Sequence, residues 1–121
     1  MSEPHELSAL EQGVLIAKGE LSARELTEHY LARIDTWNAE VGAYITVCAD
    51  LARSQADEAD AVVRADVRPL GPLHGVPVPL KDTVDVAGVR TTYGSPIFAD
   101  HVPAKSHPLI ERIERDRKSV V

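Results

Sequence analysis

An α/β fold is what this sequence predicts, on three observations. Two helix-start signatures stand close together near the N-terminus, Ser8-Ala9-Leu10-Glu11 and Ser22-Ala23-Arg24-Glu25. In each, a serine can accept from the amide three residues on while the glutamate reaches back to the serine's own amide. Farther along, Val76, Val78 and Leu80 recur two apart, which is strand spacing. Read in order, the patterns run helix, helix, strand, helix, strand, strand, the alternation of an α/β domain.

The first helix is predicted from the Ser8 cap through Val14 and Ile16 to about Lys18, with Gly19 as its stop. The second starts at the Ser22 cap, where Leu21 and Leu26 occupy the hydrophobic-staple positions, and covers residues 23–38. Its stripe of Leu26, Tyr30, Ile34 and Trp37 recurs at steps of four, four and three, so it buries one face. Residues 43–48, Ala-Tyr-Ile-Thr-Val-Cys, carry β-branched side chains and read as a short strand. Asp50 is the expected cap of a third helix over 51–64, with Ala52, Ala56, Ala59 and Val63 inward and Asp57, Glu58 and Asp60 on a solvated face. A loop over 66–72 leads into a strand over 76–81. Two shorter strands, 84–86 and 89–93, are separated by a turn at Gly88 and end at Gly94-Ser95-Pro96. Ser106 is the expected cap of a last helix through Leu109, Ile110 and Ile113.

A chain of 121 residues has room for one domain of roughly 100–150 residues. The net charge of −6 argues against a nucleic-acid face, which needs clustered Lys and Arg. Cys48 stands alone and cannot form an internal disulfide, which fits a reducing cytoplasm. The acidic N-terminus has no apolar signal core, and no apolar run approaches the ~18 residues of a membrane span. With one Trp, one Phe and three Tyr, the core must be built from Ala, Val, Leu and Ile. No glycine-rich phosphate cradle occurs, and no cofactor is expected.

The chemistry concentrates at Gly71-Pro72-Leu73-His74-Gly75-Val76-Pro77-Val78-Pro79-Leu80-Lys81-Asp82. Lys81 ends an apolar run, where a charged amine is costly. An apolar setting lowers a lysine's pKa and frees it to act as a base; the alternative is a strand-end lysine whose amine reaches water. Asp82 either orients a partner or ends the strand as a turn former. Ser95 follows a glycine but lacks the helix-bearing elbow of a nucleophile and reads as a turn serine. His101 and His107 have no further ligand at metal spacing, and His74 is expected to hydrogen-bond to backbone or solvent. Pro77 and Pro79 remove two amide donors from the same side of their strand, so pairing is expected on the opposite side.

Leu73-His74-Gly75-Val76-Pro77-Val78-x-Leu80-Lys81-Asp82, followed by Val84-Asp85-Val86-x-Gly88-Val89-x-Thr91-Thr92-x-Gly94-Ser95, closely resembles the amidase signature family. The helix start Gly19-Glu20-Leu21-Ser22-Ala23-Arg24-Glu25-Leu26 and the segment Phe98-Ala99-Asp100-His101-Val102-Pro103 are similar to it as well. The likeness covers residues 7–113. It implies the helices and first strands of a mixed-sheet α/β/α fold, and hydrolysis or transfer of a carboxamide by a Ser–cis-Ser–Lys triad. Lys81 matches the triad lysine, which takes a proton through the bridging serine so that the second serine can attack the carbonyl. Ser95 matches a position that is not the nucleophile. The Gly/Ser-rich segment that carries both serines has no counterpart here, nor has the oxyanion-hole backbone.

The resemblance therefore implies that residues 1–115 are the N-terminal part of an amidase domain, marginally stable and inactive alone. Residues 116–121, Asp-Arg-Lys-Ser-Val-Val, depart from the family pattern and read as a non-native tail, the translation of a sequencing adapter. The parent enzyme is expected to take a small-molecule amide in the cytoplasm, with no nucleic acid and no membrane as partner. The motif wording leans toward a stand-alone amidase. The alternatives are the A subunit of a glutamyl/aspartyl-tRNA amidotransferase and a non-catalytic α/β fragment.

Overall fold

The computed structural model describes residues 2–68, 70–116 and 119–120. Four helices dominate: α1 (Ala9–Lys18), α2 (Ala23–Val41), α3 (Ala49–Arg64) and α4 (Pro108–Arg115). Short 3₁₀ turns lie at Pro4–Glu6 and Pro96–Phe98. The sheet consists of β1 (Pro77–Val78) and β2 (Ser119–Val120), paired in parallel with Pro77 opposite Ser119 and Val78 opposite Val120. Of the tail expected at 116–121, residues 117, 118 and 121 lie outside the described residues.

Both N-terminal signatures form as the sequence dictates. Glu11 N–H donates to Ser8 Oγ at 3.3 Å while Ser8 N–H donates to the Glu11 carboxylate at 2.7 Å. The Ser22 and Glu25 pair does the same at 2.9 Å in both directions. α1 ends at Gly19, whose φ of 73° is left-handed. α2 continues past the expected end at Asn38 to Val41 and stops at Gly42, φ 65°, whose N–H meets Asn38 C=O at 2.7 Å. Of its predicted stripe Leu26 is fully buried, whereas Trp37 remains 52% exposed.

The strand expected at 43–48 does not form. The Asn38 side chain binds both backbone groups of Tyr44, accepting its N–H at 2.8 Å and donating to its C=O at 2.9 Å, so neither is left for a ladder. α3 begins before the expected Asp50 cap. Its N-cap is Cys48, which makes no side-chain cap, and Asp50 lies within the first turn, 3.6 Å from Arg53. Ala52, Ala56 and Ala59 face inward as predicted.

Asp60 corrects the solvated-face reading. It is 8% exposed and accepts from the N–H groups of Ala23 at 2.7 Å and Arg24 at 3.0 Å. With Ser22 taking the Glu25 amide, the first three free donors of α2 are satisfied, two of them by a residue from another helix. Asp57 does lie at the surface and pairs with Arg24 at 2.8 Å. Glu28 bridges Arg24 and Arg53 at 2.9 and 2.7 Å, and these guanidinium contacts, Arg53 first, pull its carboxyl down to about 2.

The strand expected over 76–81 shortens to Pro77–Val78, because the two prolines flank the one position with an amide to give. Residues 84–86 and 89–93 are not strands. Their amides serve turns and loop contacts: Val84 to Lys81 C=O and Val89 to Val86 C=O, both 3.0 Å, and Tyr93 to Asp82 C=O at 2.9 Å. The expected α/β class thus reduces, among the described residues, to a helical domain with one minimal parallel sheet. The last helix is capped by His107, whose Nδ1 accepts from Leu109 N–H at 3.1 Å. The predicted cap, Ser106, instead accepts from Ala87 N–H at 2.9 Å.

Two apolar clusters result. Ile16, Ala23, Leu26, Ala56, Ala59 and Val76 pack where α1, α2 and α3 meet β1. Val86 and Ile110 form the second, flanked by half-buried Leu51, Leu80, Val84, Val89 and Ile113.

Candidate functional site

Lys81 sits at the end of a segment fastened to the helices at three points. Gly13 in α1 lets the Pro72 carbonyl approach so closely that a Cβ there would lie 2.0 Å from its oxygen. His74, 2% exposed, sets its Nε2 2.9 Å from the Ala59 carbonyl of α3, so of the two kinds of partner expected, backbone or solvent, it takes backbone. Gly75 has φ 78°, and a Cβ there would lie 2.9 Å from Ala23 Cβ and 3.3 Å from Ile16 Cγ2. Backbone conformation and packing both exclude a side chain at that position. Beyond β1, Leu80 packs on the second cluster, and the chain turns with Lys81 C=O accepting from Val84 N–H.

Asp82 ties this turn to the loop over 91–94. Its carboxylate accepts from Thr92 N–H at 2.9 Å and from the Thr92 hydroxyl. The hydroxyl bond is the leading reason that its pKa is lowered from the usual carboxylate value. The opposite loop is shaped by two left-handed residues in succession, Tyr93 (φ 52°) and Gly94 (φ 69°), closed by Ser95 N–H to Thr92 C=O at 3.0 Å. Positive φ at both central positions is the mark of a type I′ turn. The Tyr93 hydroxyl donates to the Asp85 carboxylate, which pushes the phenol pKa up.

Between these pieces lies a cavity of about 730 Å³, lined among others by Lys81, Asp82, Thr91, Tyr93, Tyr44 and Cys48. Lys81 itself is exposed. The apolar enclosure expected around its amine is therefore not supplied by the described part of the chain. No serine is among the described residues lining the cavity. Burial pushes the Cys48 thiol up, away from the thiolate that a nucleophile requires. The arrangement offers a candidate base on an anchored turn, with no activated nucleophile beside it.

The remaining candidates have structural roles. Ser95 Oγ accepts from Ile97 N–H at 3.4 Å and caps the 3₁₀ turn that follows. His101 C=O accepts from Thr91 N–H at 2.9 Å, and its ring packs 5.7 Å from Tyr93 and 5.8 Å from Phe98. His107 caps α4. Sequence reasoning missed Gly13 and the roles of Asp60 and Thr92, all of which hold the lysine segment or its supporting helix through partners distant in sequence.

A family model described as Amidase matches residues 25–116. The A subunit of glutamyl-tRNA(Gln) amidotransferase from Chlamydia pneumoniae is 38% identical over 109 residues, covering 90% of this chain and 22% of that protein. The protein of the same name from Synechococcus sp. (strain WH7803) is 42% identical over 98 residues, 81% of this chain and 20% of its own length. Among solved structures, the native peptide amidase of Stenotrophomonas maltophilia superposes with a TM-score of 0.85 at 32% identity, over 96% of this chain and 24% of that one. The chain thus spans about a fifth to a quarter of the length of the relatives it matches.

Proposed function

This chain belongs to the amidase signature family, and on that premise we propose that it carries the lysine base of a carboxamide-processing enzyme of the amidotransferase A-subunit type. The observation that carries the proposal is Lys81 itself. It stands exposed at the wall of an open cavity, on a turn that Gly13, His74, Gly75 and Asp82 hold in place. The neutral amine of Lys81 accepts a proton and so activates a hydroxyl nucleophile, which adds to the amide carbonyl and expels ammonia. That hydroxyl and the donors for the oxyanion are supplied by residues outside the matched quarter of the fold. They also supply the apolar cover that makes a neutral lysine accessible near pH 7.

The A-subunit reading takes precedence over the stand-alone amidase that the motif wording favours. It is supported by curated relatives 38% and 42% identical that are named as A subunits. It also narrows the expectation of no nucleic-acid partner. The relatives are named for glutamyl-tRNA(Gln), so tRNA and partner subunits belong to the proposed assembly, even though this chain carries a net charge of −6. Likeness to a peptide amidase at 32% identity supports the second reading, a stand-alone hydrolase. No helix among the described residues is long and apolar enough to cross a membrane.

Ammonia release by the complete gene product, measured on glutamine, asparagine and simple amides with and without the neighbouring subunits, tests the proposal. Transfer that requires the partner subunits supports the A-subunit reading; partner-free hydrolysis of simple amides supports the second. Lys81→Ala is expected to abolish turnover in either case, and full activity of that variant overturns both. The 121-residue chain alone is expected to turn over none of these amides.

A further inference from the structure

Away from the lysine, at the opposite end of the sequence, three potential metal-ligating side chains converge. His5 comes from the 3₁₀ turn at Pro4–Glu6, Glu3 is the N-cap of that turn, and His29 comes from α2. One donor atom from each lies within 4.8 Å of the other two. His5 Nδ1 and His29 Nε2 are 2.9 Å apart, and the two rings meet edge to edge, their centroids 5.1 Å apart and their planes inclined by 15°. We propose that Glu3, His5 and His29 form a binding site for a divalent transition-metal ion of the zinc class, with one coordination position left open.

The donor chemistry selects that class. Two imidazoles and one carboxylate make an N₂O set, which suits zinc and its neighbours and is poor for magnesium or calcium, both of which prefer oxygen. The geometry is close to what such an ion requires. With metal–nitrogen bonds of about 2.0–2.1 Å, two nitrogens on a tetrahedral ion stand about 3.3 Å apart. For a metal to replace the proton between them, the 2.9 Å pair must open by a few tenths of an ångström and the two rings, which now meet edge to edge, must turn so that both nitrogens face the ion.

The support is built as well as the ligands. Pro4 fixes the backbone between Glu3 and His5. Gln12, 2% exposed, donates from Nε2 to Pro4 C=O at 2.8 Å and lies 2.8 Å from the Tyr30 hydroxyl, so a buried amide joins the 3₁₀ turn to α2 beside His29. Glu6, the other acid of the turn, accepts from Glu3 N–H at 2.9 Å, which holds the turn in shape. The half-buried histidines and exposed carboxylate keep the open position accessible to water. The site stands independently of any amide chemistry.

The test is titration of the full, untagged chain with Zn²⁺ by calorimetry and with Co²⁺ by visible absorption. One ion per chain is expected, with a tetrahedral cobalt spectrum. His5→Ala and His29→Ala should each weaken binding by about 100-fold or more. Glu3→Gln should weaken it less, and His101→Ala, far from the cluster in sequence, should leave it unchanged. Circular dichroism of each variant checks that the helices persist. Binding by the wild type no tighter than by His29→Ala overturns the proposal, as does an equal loss in His101→Ala.

Discussion

The two apolar clusters are built on different plans. Where the helices meet, Ala23, Ala56 and Ala59 are completely buried, and such small residues let backbones approach closely around Ile16 and Leu26. The free donors of a helix start and a helix carbonyl there are met by buried groups, Asp60 at the start of α2 and His74 at Ala59 of α3. Among the described residues the second cluster buries Val86 and Ile110, and Leu80, Val84 and Val89 of the half-buried residues around them lie in turns and loops. Its segments are pinned by polar contacts nearer the surface, Asp82 to Thr92 and Tyr93 to Asp85. The lysine turn joins the two. Its N-terminal side is bolted to the first cluster and its C-terminal side leans on the second. The expected order of local stability follows from this, with helical amides exchanging slowest and those of 81–95 fastest.

The largest effects should come from emptying the cores, and their difference measures the contrast. Ile16→Ala removes a side chain 1% exposed among neighbours held on three helices, so the cavity cannot collapse. A loss of about 4 kcal/mol is expected. Ile110 is equally buried, but Leu80, Val84 and Val89 beside it are half-buried loop residues that can relax, so Ile110→Ala should cost nearer 2 kcal/mol. Urea midpoints of both variants give the comparison, and equal losses would show that the second cluster is as rigid as the first.

Gly13→Ala should follow, at about 2–3 kcal/mol. Elsewhere in a helix alanine is the favoured residue, but here the added methyl meets the Pro72 carbonyl, a backbone atom that cannot rotate away. Crosspeak shifts in an amide spectrum should extend from α1 into residues 71–76. An unchanged or raised melting temperature would mean that the loop does not rest on α1 as described.

Asp60→Ala acts between helices and is expected to cost about 2 kcal/mol, since it leaves the Ala23 and Arg24 amides without their acceptor. Asp57→Ala is the control. That residue is an exposed partner of Arg24, and its loss should change stability by a few tenths of a kcal/mol. If both variants melt together, Asp60 is no more structural than the surface acids beside it.

These variants mark the boundary of what the sequence makes legible. The starts of α1 and α2 and the stops at Gly19 and Gly42 depend on neighbours within a few residues. The first three can be read directly from the sequence, and Gly42 only by following the helix formers past Asn38. Alanines at 52, 56 and 59 follow from helical period. What escapes is every partner chosen by the fold: Asp60 looks like any helix-surface acid, and Gly13 looks like a weak helix residue. The β-branched run at 43–48 looks like a strand until Asn38 occupies Tyr44. Lys81 is legible as an unusual residue and by its resemblance to a triad lysine. Its exposure is one of the two readings the sequence leaves open, an amine in an apolar setting or one that reaches water, and the described residues form the second.

The smallest effect, and the one closest to the lysine, concerns Asp82. Its folded-state pKa is depressed, first by the Thr92 hydroxyl and further by the Thr92 amide and the charge of Arg90. A carboxylate of this kind contributes stability that is fully present above its unfolded pKa, near 4, and is lost as pH falls through the lower folded value. Asp82→Asn keeps the size of the side chain and removes the titration, at a cost of about 1 kcal/mol near neutrality. The wild type should lose stability below about pH 4 more steeply than the variant, and the Thr92 amide resonance should titrate there only when Asp82 is present. Because Asp82 is half-buried and joins two loops, without sitting in either core, the amides of α2 and α3 should not respond. A pH response spread evenly through the helices would show that the lysine turn and the helical core melt as one unit, and the contrast between the two clusters would be lost.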